Sequence, residues 1–290
     1  MGRHLEAAKA YMGRDVGTLL DGGRYALTHT RSMEFDELRP YVRGDDVRDI
    51  DWKATVRSGH TLIKQFVSEK HHKILVVADA GRNAAALAPS GERKCDIAAH
   101  LIAAIGLITL ARSDEIGLVT GDRRSCIDIR LRRGDNHIET MVHHYLRYAS
   151  GRRSPSDIGV QLEWIARHHR HRLLVFVVAD EPDISDRLRD ALRPLTARHD
   201  VLWAMLADLP ALTPMPRSAN GYDVADGRPV LPPAMLGDAV AAAYQRSEDE
   251  RRQHLSEFLT RRGIPHARLQ ASTDIRAALT QLTGVYARAR

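Results

Sequence analysis

Cysteine is nearly missing. Only Cys95 and Cys126 occur, far apart and without the paired spacing of a zinc or dithiol site. They read as small buried residues of a reducing compartment, one in an expected helix and one in an expected strand. Aromatic residues make up 5% of the chain and the basic residues form no run, so bases would find few rings to stack on. Nucleic-acid binding is therefore not expected, although the net charge is +6. Long hydrophobic runs are missing too. The nearest, Ile97 to Ala111, falls short of the roughly 18 to 20 residues that span a bilayer and contains His100. The opening MGRHLEAAKAYMG has no apolar segment of the signal-peptide kind, and the expectation is a cytoplasmic protein with no membrane span.

The usual enzyme signatures are also absent. There is no Gly-rich phosphate loop followed by Lys and Ser/Thr, no HExxH, no GxSxG and no CxxC, so no catalytic residue is expected. Histidine is plentiful at fifteen, and RHHRHR at 167–172 invites a metal reading. Its flanking arginines repel a cation, and the run reads instead as the basic end of a helix, favourably placed against the helix dipole.

What is present is the material of a folded protein: 290 residues, 43% apolar and 28% charged. Four apolar runs end in aspartate: KILVVAD at Asp79, EIGLVTGD at Asp122, RLLVFVVAD at Asp180 and DVLWAMLAD at Asp208. Continuous Val, Ile and Leu without polar alternation indicates strands covered on both faces, which are usually parallel. Helical stretches lie between them, at 93–111, 137–148, 158–169 and 185–199. The expected fold is α/β, a doubly wound and mostly parallel sheet whose ligands bind beyond the carboxyl ends of the strands. Asp79 and Asp180, which repeat VVAD, are the stronger site candidates; Asp122 and Asp208 read as caps or turn formers.

Residues 1–72 read as a small β-rich module, with a short helix over 5–11, glycine turns at Gly22, Gly23, Gly44 and Gly59, and a strand in TLIKQF at 61–66. Residues 73–290 form the sheet domain. Within it, 210–233 hold six of the twelve prolines and read as a surface excursion with a hairpin near Asp226 and Gly227. A helix over 234–262 follows, its SEDERR charges at 247–252 read as a solvated face, then a last strand at 266–272 and a final helix from Thr273.

One stretch, YVRGDDVRDIDWKATVRSG at 41–59, sets four aspartates among three arginines. Gly44 permits a tight turn in which Asp45 and Asp46 accept backbone N–H groups. If the piece is extended, Asp49 and Asp51 share one face while Ile50 and Trp52 point to the core. Arg39, Arg43, Arg48 and Arg57 supply charge partners, and the network either clamps the module or faces a protein, with Asp45 and Asp46 the expected exposed members.

Together, EFDELRPYVRGDDVRDIDWKATVRSG, the basic strand after it and the run E-x-x-x-K-I-L-V-V-A-D resemble the bacterial family called domain of unknown function 58 (DUF58). The matching positions are Glu34, Phe35, Arg39, Tyr41, Gly44, Asp45, Asp46, Arg48, Ile50, Asp51, Trp52, Arg57 and Glu69. The strict motif covers 34–83, and the order of strands and helices extends the likeness over most of the chain. The family is similar to von Willebrand factor type A domains, which are doubly wound. Its members commonly accompany MoxR-type AAA+ ATPases. The resemblance thus implies a non-enzymatic adaptor that works with such an ATPase, and with a client protein, in assembly, maturation or chaperone-like work. The alternative, a metal-dependent hydrolase using the aspartates at the strand ends, lacks a nucleophile or histidine base beside them in the sequence.

Type A domains often hold Mg²⁺ at a D-x-S-x-S loop, a Thr on a second loop and an Asp on a third. On that resemblance Asp79 keeps the first position, Gly81 and Asn83 replace the serines, Ser156 stands for the Thr and Asp180 for the last Asp. The implied Mg²⁺ site is degenerate, made of Asp79, Asn83, Ser156 and Asp180, because Gly81 has no side-chain oxygen and Arg82 brings a positive charge close by.

Overall fold

The computed structural model describes residues 2–12, 30–42, 45–151, 154–212, 221–230 and 237–288. Gly22, Gly23, Arg43 and Gly44 lie outside the described residues, as do the side chains of Glu34, Phe35 and Glu69. Two units make up the chain, Thr28–His72 and a larger one containing Lys73–Arg290.

The larger unit is built on six strands: β3 (Lys73–Asp79), β4 (Glu115–Gly121), β5 (Cys126–Arg132), β6 (Leu174–Ala179), β7 (Asp200–Leu206) and β10 (His266–Leu269). Their order is β10-β7-β6-β3-β4-β5, with every neighbouring pair parallel except β4 and β5. The four aspartate-ending runs are four of these strands, and the doubly wound, mostly parallel α/β sheet expected from them is the observed one. Alternate residues of the central strands face opposite layers. Ile74, Val76 and Ala78 join Phe176 and Val178 in one apolar cluster; Leu75 and Val77 join Val175 and Val177 in the other. Two covered faces explain why these strands show no polar alternation.

The first cluster is closed by α3 (Lys94–Ala111), α4 (Asp135–Gly151) and α8 (Ile275–Arg288), the second by α5 (Ile158–His168), α6 (Asp186–Arg198) and α7 (Asp238–Thr260). By length and composition α3 is apolar enough to cross a membrane, but most of it is buried inside the fold, as suits a central core helix. The proline-rich excursion carries a two-residue hairpin, β8 (Gly221–Tyr222) with β9 (Pro229–Val230), turning through Gly227 at φ +76°.

Two expectations need correction. The N-terminal helix does not belong to the small module. As α1 (Arg3–Met12) it buries Leu5, Ala8 and Met12 in the first apolar cluster, and Glu139 of α4 accepts from the Leu5 backbone N–H at 2.7 Å, satisfying a helix-end donor. The SEDERR face is not wholly solvated, because Arg251 reaches the buried Glu181 just beyond β6 at 3.2 Å. In RHHRHR, His169 Nε2 lies 3.0 Å from Asp128 on β5, a carboxylate distant in sequence that the fold brings to it.

In the smaller unit β1 (Thr30–Pro40) pairs antiparallel with β2 (Leu62–His71), which contains TLIKQF apart from its first residue. Between them lie a 3₁₀ turn (Val47–Asp49) and α2 (Trp52–Ser58).

Candidate functional site

Three adjacent parallel strands deliver an aspartate to one sheet edge: β3 ends in Asp79, β6 leads to Asp180 and β7 to Asp208. Ser156 Oγ donates to Asp79 Oδ2 at 2.5 Å and accepts from the Asn83 backbone N–H at 3.1 Å. The Asn83 side-chain amide donates to Asp180 Oδ2 at 2.6 Å. Asp79, Asn83, Ser156 and Asp180 thus converge, three loops meeting at one point. The Arg82 backbone N–H, bonded to the Ser154 carbonyl at 2.8 Å, ties two of the loops together. Arg82 itself sends its guanidinium to the Ala225 carbonyl at 2.8 Å.

Two further residues belong here that the motif did not include. Lys94, in the first turn of α3, is 1% exposed; its Nζ lies 3.7 Å from Asp180 Oδ2 and is in short contact with Asp208 Oδ1. Asp208 is therefore an ion-pair partner, not the cap or turn former expected. Asp122 does form a turn, accepting the backbone N–H groups of Arg124 and Ser125 between β4 and β5.

The donor set does not fit Mg²⁺. A hard divalent ion needs about six oxygens in octahedral array, and here Asp79 Oδ2 is engaged by Ser156 and Asp180 Oδ2 by Asn83 and Lys94. The space enclosed by Asp79, Asn83, Lys94 and Asp180 is about 10 Å³, the scale of one water molecule. A Cβ on Gly81 would sit 2.6 Å from Ser156 Cα and 2.7 Å from its backbone nitrogen, so the serine of the D-x-S-x-S pattern has no room. Asp79 Oδ1 is buried without a hydrogen-bond partner among the described residues. Burial, reinforced by the neighbouring Asp180 charge, pushes this carboxyl well above the usual carboxylate range.

The 41–59 segment forms a second, separate arrangement. Arg39 grips Asp45 with two parallel bonds of 2.7 Å, and the Val42 backbone N–H adds a third at 2.9 Å; the guanidinium holds this carboxylate down at about 2. Asp46 caps the 3₁₀ turn through the Arg48 backbone N–H, and Asp51 caps α2 through those of Lys53 and Ala54, each at 3.0 Å. Tyr41 extends the hairpin by a backbone bond to Thr61. Of the two expected exposed aspartates, Asp46 is exposed and Asp45 half-buried. Arg48 and Arg57 are exposed and make no ion pair among the described residues, while Lys64, 3.7 Å from Asp51, supplies a cation the motif did not mark. Trp52 is the clearest departure. It starts a helix and is 65% exposed, not turned to the core, because the extended stretch ends at the Asp51 cap and the chain coils into α2 from Trp52 onward.

The family profile "Protein of unknown function DUF58" matches residues 37–217, which include the capped loop, Asp79 and all the residues gathered around it. The chain belongs to the DUF58 family. Similar proteins include Uncharacterized protein Rv1480 of Mycobacterium tuberculosis (strain H37Rv) and Uncharacterized protein Mb1516 of Mycobacterium bovis, each 26% identical over 212 residues, 72% of this chain. The match spans 63% of the length of those relatives. Among solved structures, an aerotolerance-related membrane protein from Bacteroides fragilis overlaps 73% of this chain and 98% of its own at 15% identity and a TM-score of 0.47. A von Willebrand factor type A protein from Catenulispora acidiphila overlaps 77% of this DUF58 chain and 43% of its own at 9% identity and a TM-score of 0.40.

Proposed function

We propose that this DUF58 chain is a non-enzymatic adaptor that binds a MoxR-type AAA+ ATPase and, with it, a client protein, in assembly, maturation or chaperone-like work in the cytoplasm. The observation that carries the reading is the exposed apolar face of α2. Trp52 and Val56 lie one helical turn apart, 65% and 82% exposed, and Val42 and Val47 nearby in the sequence are each 61% exposed. Large apolar side chains left in water mark interaction surfaces, and a tryptophan set among polar neighbours is the typical anchor of a protein interface. Asp46, Arg48 and Arg57, close by in the sequence, are exposed polar residues. The identity of the partner rests on the family resemblance of this same motif.

The hydrolase alternative has less behind it. Ser156, Asn83 and Lys94 already engage the aspartates at the strand ends, and the space among them is too small for a substrate. The test is affinity capture from a native lysate using the wild-type chain and a Trp52→Ala, Val56→Ala double variant, with captured proteins identified by mass spectrometry. A MoxR-type ATPase held by the wild type and lost by a variant of unchanged melting temperature supports the reading. Capture by neither chain, or by both equally, contradicts it.

A further inference from the structure

Lys94 occupies an unusual position for a lysine. It sits in the first turn of an 18-residue helix, where the helix dipole presents its positive end and disfavours a cation. Its side chain is 1% exposed, although burying an ammonium is costly unless it is paired and hydrogen-bonded. The neighbours that compensate are the Asp180 and Asp208 carboxylates from two adjacent strand ends, with Asp79 lining the same small space. Without a positive charge, the Asp180 and Asp208 carboxylates would be left without their cation beside the buried Asp79. Asn83 Nδ2 reinforces the arrangement by presenting a donor, not an oxygen, to Asp180.

We propose that the Lys94 ammonium is the resident cation of this aspartate cluster, taking the place that a divalent metal takes in metal-binding type A domains. The cluster is then an ion-paired joint between β3, β6, β7 and α3. This inference stands apart from the adaptor reading, which rests on α2. It carries a gain-of-function consequence: removing the ammonium leaves carboxylates, a hydroxyl and vacated space, which is what a divalent ion requires.

The experiment uses the full chain. Mn²⁺ binding is followed by electron paramagnetic resonance, and thermal unfolding is recorded with millimolar MgCl₂ against NaCl of equal ionic strength. The wild type is expected to bind no Mn²⁺ at millimolar concentration and to melt at the same temperature in both salts. Lys94→Met, which keeps the aliphatic volume, is expected to melt lower, to bind one Mn²⁺, and to regain about 3 °C when metal reaches ten times its dissociation constant. Adding Asp180→Asn is expected to abolish the acquired binding. Should Lys94→Met fail to fold, Lys94→Met with Asp208→Asn removes one charge of each sign and leaves Asp79 and Asp180 to be tested in the same way. Stoichiometric Mn²⁺ on the wild type, lost with Asp79→Asn, overturns the proposal. So does a folded Lys94 variant that binds none.

Discussion

Gly81 shows how one missing side chain fixes what a site can be. Its Cα approaches Ser156 so closely that any Cβ would collide with backbone atoms, which cannot move aside as a flexible side chain can. Gly81→Ser, the change that restores the D-x-S-x-S letter pattern, is expected to destabilise the fold by about 1–3 kcal/mol, the range for overpacking, and to add no Mn²⁺ affinity. Thermal unfolding and paramagnetic resonance on the one variant read both outcomes. His199, which is buried and accepts the Leu173 backbone N–H on Nδ1, gives a pH prediction. Burial, with Arg198 adding to it, pushes its imidazole down to about 4. The folded state therefore prefers the neutral ring. Stability is fully present above the usual histidine value near 6.5 and is lost as pH falls from there through about 4. The melting temperature should decline over that window, and His199→Asn, which keeps an acceptor and removes the titration, should flatten the decline. A decline equally steep in His199→Asn would assign the acid lability to other groups.

At the scale of elements, α2 depends on its ends more than on its seven residues. Asp51 accepts two backbone N–H groups at the start, and Gly59, at φ +74°, closes the end in the left-handed region. Asp51→Ala is expected to cost about 1 kcal/mol, seen as roughly fivefold faster amide exchange over the Val56–Gly59 stretch. No change in exchange would show that tertiary contacts, not the cap, hold the helix. This element also marks where sequence reading failed. IDW reads as extended alternation, which sends Trp52 inward, yet Asp51 before WKAT and Gly59 after Ser58 are the start and stop signals of a short helix. The sheet strands were legible because burial on both faces leaves only one kind of pattern. Lys94 was not legible. A lysine in a first turn looks like ordinary surface charge, and only the sheet order, which places β7 beside β6 and β6 beside β3, brings two carboxylates to it. Asp79, Asn83, Ser156 and Asp180 were found through a motif whose spacing the topology keeps, although the chemistry the motif implies does not follow.

At the scale of the whole molecule, the two units treat their side chains differently. The larger unit spends its strand-end carboxylates on internal bonds: Asp79 with Ser156, Asp180 with Asn83 and Lys94, Asp208 with Lys94, and Glu181 with Arg251 and Arg268. The smaller unit leaves Trp52, Val56, Val47 and Val42 in water. On this account the first is scaffold and the second is the contact surface. The most direct test is a binding isotherm between the purified chain and a purified MoxR-type ATPase from the same organism, measured for the wild type and for Trp52→Ala. The account predicts saturable binding by the wild type and at least a tenfold loss in the variant, the scale of a truncated anchor residue, with melting temperature unchanged. Absence of binding by the wild type, or equal affinity in the two proteins, would contradict it.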